Sequence, residues 1–476
     1  MDIFNDYNKY IIYIMISKSH FIGEHIANIN QYYNFIQELG RGSYGHVIRV
    51  QNISTGHIYA CKKMNKRQIT NKARLKTEID LLRAVDHPNI RKLYDIYEDS
   101  VFLYLIMEEC LGGEFFDRLA LRAKQLNMYT ERDAAKIFKQ ILEAVNYLHA
   151  HGVCHRDLKP ENILFSTIEE DSPLKLIDFG LSKVFNGDDN TMKGAVGTTF
   201  YMAPEVITGK YNEKCDVWAC GVILYIMLCG KPPFYSKDEE ELKQKICSMK
   251  YDFNYPEFNK ISNDAKELIA SMLVDKESRP SVTQILNHKW IKENAPHSTN
   301  EVLNINWNHI QKYSGLNLMQ KSVINFTAFR LTEDETRQFV DVFKSLDENS
   351  DGVLTMEEIK KGIELCNFGN KMNPKEIIKL FNEMDVDKNG LINFTEFVSA
   401  MMDYDKFVKK EQLLECFKSY DTDGSGKISF EEFCDMIKPS NEQEKKDLFI
   451  LYKKFDTNND GEIDFEEFVN GFNNIH

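Results

Sequence analysis

The pattern of apolar and polar positions changes character along this chain, from mixed strand and helix periods to helix alone. After Gly45 the runs HVIRVQ and HIYACKKM flank the polar turn NISTG, which reads as strand, turn, strand. In ARLKTEIDLLRAVDHPNI the apolar positions Leu75, Ile79, Leu82 and Val85 recur at helical spacing. VFLYLIMEEC reads as a buried strand that runs into a hinge after Met107. AAKIFKQILEAVNYLHAHG predicts a long helix with Gly152 as its stop, and CDVWACGVILYIMLCGKPPF predicts a buried one. From residue 332 onward, helix, loop and helix repeat four times. No run of about 18 apolar residues occurs, so no transmembrane segment is expected.

Candidate chemistry gathers in His155–Gly180, HRDLKPENILFSTIEEDSPLKLIDFG. Asp157 can accept the proton of an attacking hydroxyl, and Asn162 and Asp178 are hard oxygen ligands suited to Mg²⁺. The set suits phosphoryl transfer from a metal-bound nucleotide. HRDLxxxN followed by DFG resembles the protein kinase family. Upstream, Gly40, Gly42 and Gly45 in LGRGSYGHV are weak evidence alone, because dinucleotide-binding folds share the spacing. Here a strand follows where such a fold would start a helix.

The resemblance implies an ATP site lined by Leu39, Gly40, Gly42, Gly45, Val47 and Ala60. It implies Lys62 at the α- and β-phosphates with Glu78 as its partner, and Met107 as gatekeeper. Glu108 to Cys110 would offer backbone groups to adenine, and Glu114 would touch the ribose. Lys159, two residues after Asp157, is the serine/threonine pattern and would neutralise charge on the transferring group. Glu114 and Glu161 together suggest substrates with Arg or Lys before the target hydroxyl. Glu205 is expected to pair with Arg279, a structural tie, and Asp216, Trp218 and Gly221 form a structural DxWxxG arrangement. One departure matters. Where related kinases carry a phosphorylatable Thr, this chain has Gly194, so Arg156 has no phosphate to capture there; Thr191 is near but misplaced.

Charge is unevenly spread. The net is −14 overall, but residues 331–476 hold 18 Lys+Arg against 33 Asp+Glu, a net of −15. An acidic module suits cations or basic peptides and argues against nucleic acid. Within it four loops fit D-x-[DN]-x-[DNS]-G-x₅-E, starting 38, 36 and 35 residues apart. The candidate Ca²⁺ ligands are Asp347, Asn349, Asp351, Val353 and Glu358; then Asp385, Asp387, Asn389, Leu391 and Glu396. Asp421, Asp423, Ser425, Lys427 and Glu432 follow, and then Asp456, Asn458, Asp460, Glu462 and Glu467. The residue at position 7 contributes through its carbonyl, and Glu at position 12 closes the site. Leu354, Ile392, Ile428 and Ile463, at position 8, can pair across two loops. The fourth loop has the most acidic ligands. Phe339, Val342, Phe343, Phe397, Met401, Met402, Phe433 and Met436 read as core, and as a groove for an amphipathic helix once calcium binds.

Between the two regions lies 292–331. Leu303, Trp307 and Ile310 share one helical face, and Leu316, Met319, Val323 and Phe326 form a second run. A kinase-like domain, an amphipathic junction and four tandem hands closely resemble the calcium-dependent protein kinases of plants and apicomplexan parasites. The resemblance implies a bilobal α+β protein kinase fold followed by an all-α four-EF-hand, calmodulin-like module. Its parts are an N-terminal extension at 1–32, a kinase domain at 33–291, an autoinhibitory junction at 292–331 and the calcium module at 332–476. The loops run 347–358, 385–396, 421–432 and 456–467. ATP, Mg²⁺ and Ca²⁺ are the implied cofactors and protein serines and threonines the substrates. In this mechanism the junction holds the kinase off until the hands bind it. The junction has only Lys312, Lys321 and Arg330 as basic residues from Asn300 on, so a positional or hydrophobic block is expected over a charge plug.

Ten cysteines without CxxC pairing suggest reduced thiols in a cytoplasmic protein, and a monomer is expected. Asp2 excludes N-myristoylation at this start, while peripheral membrane association stays open. The competing reading is a calcium-binding scaffold with an inactive kinase-like domain. Lys62, Asp157, Asn162 and Asp178 discriminate the two, and all four are present.

Overall fold

The structure, a computed structural model, describes residues 21–42, 45–125, 127–185, 192–193, 197–296, 307–365, 374–437, 439 and 442–474. A six-stranded sheet forms a small lobe. Its strands in chain order are β1 (Gly23–His25), β2 (Tyr33–Gly42), β3 (Gly45–Asn52), β4 (Ile58–Asn65), β5 (Leu93–Glu98) and β6 (Phe102–Met107). In space they run β1-β5-β6-β4-β3-β2. The expected strand, turn and strand after Gly45 are β3 and β4. Their turn is held by the Asn52 side chain, which accepts from the Ser54 and Thr55 N–H groups at 2.8 and 3.0 Å. Gly45 is required by close approach, since a Cβ there would overlap the Lys63 carbonyl on β4.

Helix α1 (Lys72–Ala84) begins at Asn71, whose side chain accepts from the Arg74 N–H at 2.9 Å. It buries Glu78, Leu81 and Leu82 toward the sheet. The helical large lobe contains α2 (Phe115–Lys124), α3 (Glu131–Ala150) and α4 (Lys214–Cys229). Thr130 caps α3, and the helix ends just before Gly152, whose φ of 70° turns the chain out of it. Between α3 and α4 lie β7 (Val153–Cys154), β8 (Ile163–Phe165) and β9 (Leu174–Leu176); β8 and β9 pair as a hairpin.

Two helices make the junction, α5 (Trp307–Ser314) and α6 (Leu318–Arg330). Leu303, the Trp307 side chain, the Met436 side chain, Thr191 and Gly194 lie outside the described residues. The module that follows is wholly helical: α7 (Glu333–Leu346), α8 (Met356–Leu365), α9 (Pro374–Met384), α10 (Phe394–Met401), α11 (Lys410–Tyr420), α12 (Phe430–Ile437), α13 (Glu442–Phe455) and α14 (Phe465–Asn474). Helix α5 lies in the groove of the first pair of hands. Ile310 is buried there among Leu346, Leu380, Met384, Phe397 and Met401.

Helix α6 differs from its reading as a single stripe, because it is buried on two faces. Met319, Val323 and Phe326 join the core of the kinase lobes and the second pair of hands. Ile324, Ala328 and Leu331 join the core of the first pair. The Arg330 guanidinium ends the helix with a two-pronged contact to Asp95 on β5, at 2.8 and 3.1 Å. The Tyr33 hydroxyl donates to the same carboxylate at 2.8 Å. Burial alone would raise the Asp95 acid, but Arg330 and His25 overturn that and hold it at about 2.

Part of the segment read as an extension also belongs to this contact. Strand β1 pairs in parallel with β5, Gly23 opposite Asp95, and covers an edge that would otherwise expose unpaired backbone. Phe21 is buried, with its ring 6.0 Å from Phe326 and 6.1 Å from Phe329 of α6.

Arg330→Ala leaves Asp95 buried without its countercharge, and is expected to cost about 3–5 kcal/mol. The double change Arg330→Met with Asp95→Leu is expected to cost far less. Because the folded Asp95 acid lies below its unfolded value, the pair contributes fully above about pH 4 and fades as the pH falls toward 2. Denaturant titration of the three proteins at pH 7 and pH 3 checks this. Equal stability of wild type and Arg330→Ala at pH 7 would contradict it.

Candidate functional site

The stretch from His155 to Gly180 forms the floor of the cleft between the lobes. Asp216, at the start of α4, fixes its first turn. Its carboxylate accepts from the His155 N–H at 2.8 Å and the Arg156 N–H at 2.9 Å. Arg156 is thereby held at a φ of 68°, a conformation that an arginine adopts only when its surroundings impose it. Its guanidinium donates to the Leu181 carbonyl at 2.5 Å and the Tyr211 hydroxyl at 3.1 Å. Sequence reasoning left this arginine without a phosphate at position 194, and neutral oxygens meet it instead.

Asp157 stands at the centre of the floor. Oδ2 accepts from Lys159 Nζ at 2.8 Å and Asn162 Nδ2 at 3.1 Å, while Oδ1 accepts from the Thr198 N–H at 3.1 Å. Lys159 also donates to the Thr198 hydroxyl at 2.9 Å. The Asn162 amide donates to the Asp157 carbonyl at 2.8 Å, which leaves its oxygen as the atom able to meet a cation. Asp178 is held at a φ of 65° and accepts from the Gly180 N–H at 3.0 Å. From the roof, Lys62 Nζ meets Glu78 Oε1 at 2.8 Å, so α1 is swung in toward the sheet. The Asn162 amide oxygen and the Asp178 carboxylate are hard oxygen donors, a set that an Mg²⁺ fits.

The hinge continues the roof. Met107 is buried and sits opposite Ala60. Leu39, Gly40 and Gly42 lie on β2, and Val47 on β3 opposite Lys62. Glu108 turns its side chain away from the cleft, to Lys175 at 2.8 Å. Cys110 follows, its thiol pushed up to about 12 by burial. Glu114 precedes α2, its acid raised by burial and by its neighbours Asp117 and Glu161. The expected Glu205–Arg279 pair is present and buried, at 2.5 Å.

All four candidate calcium loops close in the same way. Their first aspartates accept from the glycine N–H at position 6: Asp347 from Gly352, Asp385 from Gly390 and Asp421 from Gly426, each at 2.9 Å, and Asp456 from Gly461 at 3.2 Å. Glu358, Glu396, Glu432 and Glu467 each accept N–H groups from both the start and the end of the loop. The position-8 residues pair as expected, Leu354 with Ile392 and Ile428 with Ile463.

The crowding of acids shows in their protonation. Burial first, and then Asp351 and Glu358, raise Asp347 to about 8. Asp385, Asp387 and Glu396 bring oxygens within 4.8 Å of one another, as do Asp421, Asp423 and Glu432. Asp456 Oδ1 is buried and accepts no hydrogen bond among the described residues. Such donor sets fit Ca²⁺. The fourth loop differs from its acid count, because lysines stand on two of its ligands. Lys453 pairs with Asp456 at 2.7 Å and Lys427 with Asp460 at 2.6 Å.

The first pair of hands is seated on the kinase lobes through residues that periodicity gave no reason to single out. Lys175, a lysine inside a buried strand, bridges Glu108 and Glu333 at 2.8 and 2.5 Å. Lys344 meets Glu143 at 2.6 Å. The Asn146 amide donates to the carbonyls of Asn349 and Ser350 in the first calcium loop, at 3.2 and 2.6 Å. Asp86 accepts from the Thr395 N–H at 2.9 Å. A Cβ on Gly352 would overlap the Tyr147 ring, so this loop lies flush on α3.

Residues 33–291 match the protein kinase domain, and residues 336–402 and 410–472 each match the EF-hand domain pair. Calcium-dependent protein kinase 5 of Plasmodium berghei (strain Anka) is 40% identical over 373 residues, covering 77% of this chain and 65% of that protein. Its namesake in Plasmodium falciparum (isolate 3D7) is 39% identical, covering 78% of this chain and 64% of that protein. Calcium-dependent protein kinase 4 of Plasmodium falciparum (isolate 3D7) is 38% identical over 393 residues, covering 79% and 74%. The chain thus spans just under two thirds of the length of the first two relatives. Among the described residues no helix is long and apolar enough to cross a membrane.

Lys427→Gln with Lys453→Gln frees Asp460 and Asp456, and is expected to tighten cation binding at the second pair of hands by about threefold or more. Calcium titration by calorimetry reads this. Unchanged or weaker affinity would show that the lysines do not compete with the ion.

Proposed function

Since this chain belongs to the calcium-dependent protein kinases, within the protein kinase family, we propose that it transfers the γ-phosphate of ATP to serine or threonine of protein substrates when Ca²⁺ fills its own hands. The observation that carries this reading is one chain holding both an assembled cleft, with Lys62 on Glu78 and Asp157 on Lys159, and a junction helix seated in the hands.

Asp157 accepts the proton of the substrate hydroxyl as its oxygen attacks phosphorus, and the nucleoside diphosphate leaves. Lys159 faces the charge on the transferring group, and Thr198 holds both side chains in place. Lys62, oriented by Glu78, meets the α- and β-phosphates. Asn162 and Asp178 would hold Mg²⁺, which supplies charge neutralisation at the phosphates. Glu114 and Glu161 favour a basic residue before the target hydroxyl.

Regulation follows from where the junction sits. Helix α6 is bound between the hands and the outer strands of the small lobe, with Arg330 on Asp95. This supports a positional block over a charge plug: removing the hands would uncover the face of α6 that carries Ile324 and Ala328 and loosen the other. Moving such a switch from 1:99 to 99:1 needs about 5.5 kcal/mol, or roughly 1.4 kcal/mol from each of four loops. The Arg156 contacts to Leu181 and Tyr211 support switching without a phosphate on the activation segment.

Purified protein is expected to phosphorylate a basic serine peptide with Ca²⁺ and not in excess chelator, and an Asp157→Asn variant to be inactive in both. Phosphatase treatment is expected to leave the calcium response intact. Equal labelling in chelator would refute the coupling, and loss of response after phosphatase would refute the phosphate-independent switch. Asp421→Ala with Asp456→Ala is expected to blunt activation severalfold; an unchanged calcium response would remove those hands from the switch.

A further inference from the structure

We propose that Arg91 is a specificity-determining residue of the nucleotide site, and that it fits the site to 6-oxo purine triphosphates as well as to ATP. The inference rests on the kinase reading above and concerns the base end of that cleft. Arg91 lies where the floor meets the hinge. Its own N–H donates to the Leu176 carbonyl at 3.1 Å, two residues before Asp178. Its side chain crosses to the hinge, where Nε donates to the Glu108 carbonyl at 2.9 Å.

The other groups of Glu108 are committed elsewhere. Its N–H donates to the Lys92 carbonyl at 3.0 Å, and its carboxylate faces Lys175 and the Lys92 N–H. The charge of Arg91 also reaches Cys110, where it opposes the upward pull of burial on the thiol. The guanidinium of this half-buried arginine therefore reaches the hinge.

The consequence is chemical. The 6-amino group of adenine is a donor and must meet an acceptor. The Glu108 carbonyl already receives a charged donor, so an amino group would approach its remaining lone pair past a guanidinium, donor against donor. Among the described residues the two Nη groups of Arg91 make no further hydrogen bond. A 6-oxo group is an acceptor and can take them, forming a charge-assisted hydrogen bond, the stronger class. A site that presents donors rejects a ligand that leaves them unpaired.

The test is displacement of a fluorescent ATP analogue from the full chain, with Mg²⁺ and Ca²⁺ present. ATP, inosine triphosphate and guanosine triphosphate are compared in wild type, Arg91→Leu and Arg91→Lys. In wild type, inosine triphosphate is expected to bind within about tenfold of ATP. In Arg91→Leu the ratio is expected to move about tenfold or more toward ATP. Arg91→Lys keeps a charge without the fork, and should fall between. Guanosine triphosphate should follow inosine triphosphate.

The same ratio in wild type and Arg91→Leu would overturn the proposal, as would equal weakening of all three nucleotides in both variants. A ratio that moves for guanosine but not inosine triphosphate would point to the 2-amino group and overturn it too. Binding is read directly. Failure to phosphorylate any peptide with any nucleotide would therefore fault the kinase reading, while the binding ratio still judges Arg91.

Discussion

The contact between Arg330 and Asp95 orders the rest of the molecule. Both side chains are out of water, so neither can be separated from the other without stranding a charge. Asp95 is shared by Arg330, Tyr33 and the strand that pairs with β1. The small lobe, its N-terminal edge and the end of the junction thus meet at one carboxylate. With Arg330 fixed, the register of α6 is fixed. Its two apolar faces then decide where each pair of hands can lie, and α5 falls into the groove of the first pair.

The arrangement of Asp157, Lys159 and Asn162 was legible because the chemistry proposed for it dictates residue type and spacing together. A proton acceptor, a lysine two residues on and an amide five residues on have few other reasons to recur. The calcium loops were legible for the same reason, down to the pairing of Leu354 with Ile392. The second apolar face of α6 was not. Ile324, Ala328 and Leu331 are interleaved with polar residues, and only the tertiary partners show that these are buried as well. Lys175 and Arg91 were missed because a lone cation in or beside a strand usually faces solvent, and what each faces is set by chain far away. The acid count at the fourth loop ignored Lys427 and Lys453, which neutralise its ligands from one loop away and one helical turn away.

The acidic module is not held to the kinase lobes by bulk attraction. Individual cations bridge carboxylates across the boundary: Lys175 between Glu108 and Glu333, and Lys344 to Glu143. Burial alone would lower the Lys175 amine, but its two carboxylates overturn that and raise it instead. Because Glu108 directly follows Met107, the seat of the first pair of hands reaches the end of β6.

Asn146 donates its amide hydrogens to two carbonyls of the loop that begins at Asp347. Ion uptake and adhesion to α3 therefore act on neighbouring groups of one short loop, Asn349 offering its side chain to the ion and its carbonyl to Asn146. Thermodynamic linkage makes the influence mutual. Whatever factor adhesion contributes to ion affinity, the ion returns to adhesion, so a chain severed at the junction should report a different ion affinity for its first loop than the intact one.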